Sequence, residues 1–261
     1  MAIPKIIHYC WFGDQGLPDS AKRCIESWKK HCPDYQIRRW SEKDVNLSGN
    51  QYTREAYEAR AWGFVPDYIR LWIIYTYGGI YLDTDVQIIR SFDSLLEQEA
   101  FAGMETPEYV ALGLGFGAEK GNPLIKEHME LYEQEHFINP DGSLNRKPSP
   151  QYTTALFSQH GFVAGRRTIQ KLEHCTVYPP EFFCPKSFET GIVSITHSTY
   201  SIHHFDASWY SEEEQVEKER RWKTARKDYL LHVPNRLGRR ILGDDKYESL
   251  KKKLKKVMKR V

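Results

Sequence analysis

Long apolar runs are missing from this 261-residue chain. The most apolar uncharged stretch, Leu71 to Leu82, is too short to cross a bilayer and is broken by Gly78-Gly79. Met1-Ala2-Ile3-Pro4-Lys5 leads into a strand-like segment and not into the apolar core of a secretion signal, so the expectation is a protein made and kept in the cytoplasm. Cysteine is scarce: Cys10, Cys24, Cys32, Cys175 and Cys184 form no close pair of metal-ligand spacing. Their odd number argues for reduced packing residues and against a disulfide framework. The alternating glycines of Leu112-Gly113-Leu114-Gly115-Phe116-Gly117-Ala118 permit close backbone approach to a ligand. No phosphate-cradling helix pattern follows them, which excludes a dinucleotide fingerprint or P-loop there. Net charge is also small, at +2, and no nucleic-acid-binding module is present.

What the chain does have, 40% hydrophobic and 28% charged residues, suffices for one substantial core. Strand and helix patterns alternate from residue 3 to about 90. Ile3 to Gly13 reads as a strand, and Asp19 or Ser20 caps a helix with Ile25, Trp28 and Cys32 on one stripe. Tyr35 to Trp40 alternates as a strand, and a helical pattern around Thr53 to Trp62 leads to a second helix from Pro66 or Asp67 to Gly78. This order predicts an α/β domain with a mostly parallel central sheet. Further on, Ala100 to Gly103 is a short strand candidate, Pro123 to Glu135 and Gln151 to Gly161 read as helices, and Asn139 to Pro150 is a loop. That loop reads either as an acceptor-side flap or as a surface connection.

The most informative stretch is Gly78-Gly79-Ile80-Tyr81-Leu82-Asp83-Thr84-Asp85. A short buried strand ending in two carboxylates delivers acidic groups where ligands sit in open α/β sheets. Hard oxygen ligands suit Mg²⁺ or Mn²⁺, which bind phosphate oxygens at the same time. By itself an Asp-Xaa-Asp tripeptide also reads as a solvated turn. Asp67 and Arg70, three apart on the preceding helix, share a face.

The block Asp67-Tyr68-Ile69-Arg70, Tyr77-Gly78-Gly79, Tyr81-Leu82-Asp83-Thr84-Asp85 resembles the family 32 glycosyltransferases with an Asp-Xaa-Asp sugar motif. These are related to fungal α-1,6-mannosyltransferases and to the glucosylating domains of the large clostridial toxins. A second anchor, His203 followed at a distance of five by Ser208-Trp209, is similar to the family's second signature. The resemblance implies a GT-A type, Rossmann-like domain that binds a UDP- or GDP-sugar and moves the sugar to a glycan or lipid-linked oligosaccharide, with retention of configuration. It implies that Asp83, Asp85 and His203 hold Mn²⁺ or Mg²⁺, with His204 and Asp206 as fallback ligands. It further implies that Trp11 stacks on the nucleotide base, Asp67 and Arg70 position the donor sugar, and Tyr81 touches ribose or sugar. Ser208 and Trp209 lie against the diphosphate. On residues alone, Trp11 or Phe12 also reads as a core aromatic. Glu105, Glu119 and Asp206 are the carboxylates open to a nucleophile's role, none compelling. The toxins use a carboxylate where this chain offers His203, and fungal members carry a membrane anchor not seen here. The expectation is a bacterial type that builds capsule, surface polysaccharide or lipo-oligosaccharide. A metal-dependent nucleotide-sugar hydrolase and a non-catalytic sugar-nucleotide-binding protein remain alternatives.

Composition changes after residue 210. Residues 1–210 carry a net charge of −6 and 211–261 a net of +8, dividing the chain into a catalytic domain and a basic helical extension. Tyr247, Leu250, Leu254, Val257, Met258 and Val261 form an apolar stripe flanked by lysines. Such a helix fits peripheral contact with an anionic membrane at the inner face of the cytoplasmic membrane, or docking on the acidic domain.

Overall fold

The computed structural model describes residues 2–207, 212–232, 243 and 246–249. In chain order the elements are β1 (Ile6–Cys10), α1 (Asp19–His31), β2 (Gln36–Trp40), α2 (Gln51–Glu58), α3 (Pro66–Tyr77), β3 (Gly79–Tyr81) and β4 (Val86–Ile88). They continue with β5 (Ala100–Thr106), β6 (Tyr109–Ala111), β7 (Phe116–Ala118), α4 (Pro123–Glu133), α5 (Ser149–Gln159), β8 (Gln170–Lys171) and β9 (Thr176–Tyr178). Last come α6 (Pro180–Phe183), β10 (Ser201–His203) and α7 (Glu212–Leu231). The chain divides into two compact units, 1–186 with 193–209, and 187–192 with 210–261.

In the first unit, one sheet has the order β2-β1-β3-β7-β5-β9-β8, with β6 on β5. β1, β2, β3, β5 and β9 all run the same way, so the mostly parallel sheet expected from the sequence is present, with β7 inserted antiparallel. The carboxyl ends of β1, β3, β5 and β9 therefore share one edge. β4 and β10 form a separate antiparallel pair.

Pro66 in the first turn of α3 has no N–H to leave unsatisfied, and Asp67 there complements the helix dipole. Gly78 ends the helix at φ 67°, where its N–H donates to the Ile74 carbonyl at 2.8 Å. A Cβ at Gly78 would lie 2.9 Å from both Pro4 and the Lys120 nitrogen, so only glycine lets α3 turn directly into β3. Ile69, Leu71, Ile73 and Ile74 of α3 pack into the core with Ala100, Ala102 and Met104 of β5 and Leu124, Ile125 and Tyr132 of α4. His8 is a satisfied core histidine. It accepts from Trp40 Nε1 at Nδ1 and donates from Nε2 to the Gly78 carbonyl, both at 3.0 Å, and burial lowers its pKa to about 4. All five cysteines are buried and free.

Glu55 of α2 fastens the chain entering the 139–148 loop. Its carboxylate accepts from the Phe137 and Ile138 N–H groups at 2.8 and 3.0 Å, from Gln51 Nε2 at 2.5 Å, and lies 3.2 Å from His136 Nδ1. Burial works to raise the Glu55 pKa, but these donors, the Ile138 N–H foremost, bring it down to about 2. The ordinary carboxyl value is higher, so this stabilisation is complete above about pH 4.5 and is lost as pH falls toward 2. Glu55→Gln is expected to remove on the order of 2 kcal/mol at pH 7. Urea unfolding at pH 7 and pH 3 checks this, since the gap between variant and wild type narrows at the lower pH.

In the second unit, Trp222 Nε1 of α7 donates to the Phe188 carbonyl at 2.7 Å, and Trp222 lies against Gly191. The sequence gives no sign that 187–192 groups with α7. No residue of α7 is buried, as its charge on all sides requires. Among the described residues no helix is long and apolar enough to cross a membrane. The apolar stripe from Leu250 onward lies outside the described residues, as do Ser208 and Trp209.

Candidate functional site

β3 ends at Tyr81, and the next residues carry Asp83 and Asp85 across the shared carboxyl edge. The Asp83 N–H donates to the Gly113 carbonyl and the Val86 N–H to the Asp83 carbonyl, both at 3.1 Å, which fixes the turn. β10 pairs with β4 so that His203 stands opposite Val86. That register brings two segments more than a hundred residues apart into one site. His203 Nε2 lies 3.2 Å from Asp85 Oδ1, and ligand atoms of Asp83, Asp85 and His203 all fall within 4.8 Å of one another.

The backbone after His203 is bent to hold this arrangement. Phe205 and Ala207 adopt φ of 56° and 48°, unusual outside glycine, and the intervening Asp206 N–H donates to Asp85 Oδ2 at 2.8 Å. Burial would raise the Asp85 carboxyl, but His203 and the Asp206 N–H hold it down at about 2. His203 is driven the other way: burial disfavours its charge, and Asp85 outweighs burial. His204 faces elsewhere, its Nε2 3.0 Å from Gln87 Oε1. Of the two adjacent histidines it is therefore His203 that joins the carboxylates.

Arg70 adjoins the cluster from α3. Its Nη2 donates to Asp67 Oδ1 at 2.8 Å, its Nη1 lies 3.6 Å from Asp83 Oδ1, and its Nε donates to the Pro66 carbonyl at 3.2 Å. The Asp67 and Arg70 side chains are 4% and 6% exposed, whereas Asp83 is 30% exposed. Asp67 and Arg70 thus form the buried floor and Asp83 the open surface of the site. Burial raises the Asp83 carboxyl against the pull of Arg70, and neighbouring Asp85 adds to the rise. Two carboxylates and an imidazole so placed form a donor set suited to a divalent cation.

The structure separates two residues that the sequence leaves ambiguous. Phe12 is buried in the core, while Trp11 remains partly exposed at the end of β1 and donates from Nε1 to the Gln15 carbonyl at 2.6 Å. Tyr81 differs from the expected contact with ribose or sugar. It is 1% exposed, with the Arg70 guanidinium 5.1 Å from its ring centroid, so in this structure it supports Arg70 from beneath. Gly113 was not among the residues expected in the site. A Cβ there would lie 2.1 Å from Asp83 Oδ2 and 3.1 Å from Arg70 Nη1. The alternating glycines were the available signal, but nothing in their spacing says which one faces the carboxylates.

Residues 18–102 match the family described as glycosyltransferase sugar-binding region containing DXD motif. Among curated proteins, the chain is 32% identical over 136 residues to inositol phosphoceramide mannosyltransferase 3 of Schizosaccharomyces pombe, covering 48% of this chain and 35% of that protein. It is 28% identical over 165 residues to inositol phosphoceramide mannosyltransferase 1 of the same organism, covering 60% and 48%. The chain thus spans less than half the length of these relatives. Similar solved structures include the PaToxG glycosyltransferase, with a TM-score of 0.48 and 19% identity over 60% of this chain and 69% of that one. Another is a glycosyltransferase involved in glycosylation of the major capsid of PBCV-1, with a TM-score of 0.46 and 15% identity over 82% and 98%. The segment carrying Asp67, Arg70, Asp83 and Asp85 is therefore similar to the sugar-binding region of DXD glycosyltransferases, and His203 joins that site from beyond the matched residues.

Proposed function

We propose that this protein is a metal-dependent glycosyltransferase that moves a sugar, with retention, from a UDP- or GDP-sugar to a glycan or lipid-linked acceptor. The observation that carries the reading is the convergence of Asp83, Asp85 and His203 beside Arg70, at the carboxyl edge of a strand. Asp83, Asp85 and His203 would hold Mn²⁺ or Mg²⁺, which when bound neutralises charge on the departing diphosphate. Trp11, partly exposed on the neighbouring strand, stacks on the base. Arg70, fixed by Asp67 and Tyr81, presents its charge beside Asp83, where the donor sugar meets the diphosphate. Ser208 and Trp209 donate hydrogen bonds to the leaving group.

The fungal relatives' names make mannose and an inositol-containing lipid the first donor sugar and acceptor to try. A lipid acceptor also accords with the net +8 charge of residues 211–261, which supports peripheral attachment to an anionic membrane. An acceptor belonging to capsule, surface polysaccharide or lipo-oligosaccharide would use the same attachment at the inner face of the cytoplasmic membrane.

The test is release of nucleoside diphosphate from GDP-mannose and UDP-glucose by the full chain, with and without inositol phosphoceramide vesicles. Turnover with Mn²⁺ is expected to drop by at least about 100-fold on chelation and to return when the metal is restored. Turnover indifferent to chelation would refute the metal-dependent reading.

A further inference from the structure

Glu105 has an unusual placement. It sits in β5 at a bulge: Met104 pairs with Val110 and Thr106 with Tyr109, which leaves Glu105 as the residue with no partner across the ladder. Bulges of this kind re-aim a side chain next to a site. The alternation of β5 sends Ala100, Ala102 and Met104 into the core against α3 and α4. Phe101 and Gly103 face the opposite way, onto Phe183: the Phe101 and Phe183 rings stack at 5.6 Å, and a Gly103 Cβ would lie 2.8 Å from Phe183. Glu105 follows on that same face, toward Cys184 and His203, both close enough to share its electrostatic field.

Two more observations point to a ligand. The Glu105 side chain is half-buried, which raises its pKa, yet among the described residues its carboxylate accepts no hydrogen bond. A half-buried carboxylate with no donor inside the protein keeps its oxygens open to a hydroxyl from outside. The second is the position of Glu105 along the carboxyl edge. β1 brings Trp11, β3 leads to Asp83, and β5, two strands further in the order β1-β3-β7-β5, brings Glu105. At the usual strand spacing Glu105 lies roughly 10 Å beyond β3, on the side away from Trp11. A nucleotide sugar laid from Trp11 toward Asp83 has its reacting carbon at the end nearer β5.

We propose that Glu105 binds the acceptor, its carboxylate accepting a hydrogen bond from the hydroxyl that receives the sugar. This rests on the glycosyl-transfer reading. The hydroxyl oxygen forms the new bond to the anomeric carbon as the bond from that carbon to the diphosphate oxygen breaks. The bonding pair leaves with the diphosphate, and the hydroxyl proton, held by Glu105 in the bound acceptor, leaves that hydrogen bond for the released phosphate oxygen as the new bond forms. Glu105 orients the hydroxyl lone pair and belongs to neither the metal-ligating set nor the donor floor.

The experiment compares wild type, Glu105→Gln and Glu105→Asp as full chains with Mn²⁺ and GDP-mannose or UDP-glucose, with water as the acceptor. Calorimetry gives donor affinity, nucleoside diphosphate release gives turnover, and thermal unfolding gives Tm. Glu105→Gln is expected to keep donor Kd within about twofold and to lose about 10- to 100-fold in turnover, the worth of one hydrogen bond to a charged group. Its Tm is expected to hold, because the carboxylate makes no hydrogen bond within the protein to lose, and Glu105→Asp is expected to recover part of the turnover. Unchanged turnover, or donor affinity lost in step with turnover, would overturn the assignment. A fall in Tm for Glu105→Gln would make Glu105 structural instead. Wild-type protein that neither binds nor turns over a donor refutes the parent reading, whatever the variants do.

Discussion

Arg70→Met is expected to destabilise the protein by about 3–5 kcal/mol and to abolish donor turnover. The methionine fills much of the same space, so loss of packing is not the cause. Arg70 is the cation 2.8 Å from buried Asp67 and 3.6 Å from Asp83, and without it the Asp67 carboxylate is stranded and the partly exposed Asp83 loses an ion pair. Burial already raises the Asp67 and Asp83 carboxyls above their ordinary range, and Arg70 is the first influence holding each of them down. In the variant the folded state retains protons that the unfolded chain gives up. Stability therefore falls as pH rises above about 4, where unfolded aspartates ionise. Urea unfolding at pH 5 and pH 8 checks the direction. Adding Asp67→Asn to Arg70→Met removes one stranded charge and is expected to recover part of the stability without recovering turnover, which separates folding from chemistry.

Gly113→Ala carries the second large effect. Two atoms cannot sit 2.1 Å apart without a bond, so either Asp83 leaves its place or the segment between β6 and β7 withdraws. The Asp83 N–H bond to the Gly113 carbonyl ties these two segments together, and so both movements disturb Asp83. Donor turnover is expected to fall by about 100-fold or more, since displacing a reacting geometry by about 1 Å costs on that order. The Tm is expected to fall only by several degrees, because the close contact involves a partly exposed carboxylate at the edge of the core. Turnover and affinity for Mn²⁺ in the presence of nucleoside diphosphate check this, and both are expected to drop together.

These residues also show how far sequence reasoning reaches. The helix from Pro66 to Gly78 and the strand that follows are legible because local rules agree there: proline at the start, apolar spacing within, and glycine where φ turns positive. The pairing of Asp83 and Asp85 with His203 is legible from resemblance, since no local pattern links residue 85 to residue 203. Only the register of β4 against β10 closes that gap. Tyr81 illustrates what periodicity leaves open. On a three-residue strand with all three positions buried, alternation does not tell which side meets a ligand, and packing under Arg70 decides it. Gly113 escapes for a related reason, and Glu105, open to a nucleophile's role on sequence, could not be told there from Glu119 and Asp206. One matters for the atom it lacks and the other for a ladder irregularity, and neither condition is written in residue type.

Metal-dependent transfer requires that Asp83, Asp85 and His203 bind a cation together with a nucleotide. The most direct measurement is isothermal titration of UDP and GDP into wild type and Asp85→Ala, each with and without Mn²⁺. Wild type is expected to bind one of the two nucleotides in a metal-dependent manner, and Asp85→Ala to lose at least about 10- to 100-fold of that affinity. Binding that is indifferent to both Mn²⁺ and Asp85, or no binding of either nucleotide, would contradict metal-dependent transfer.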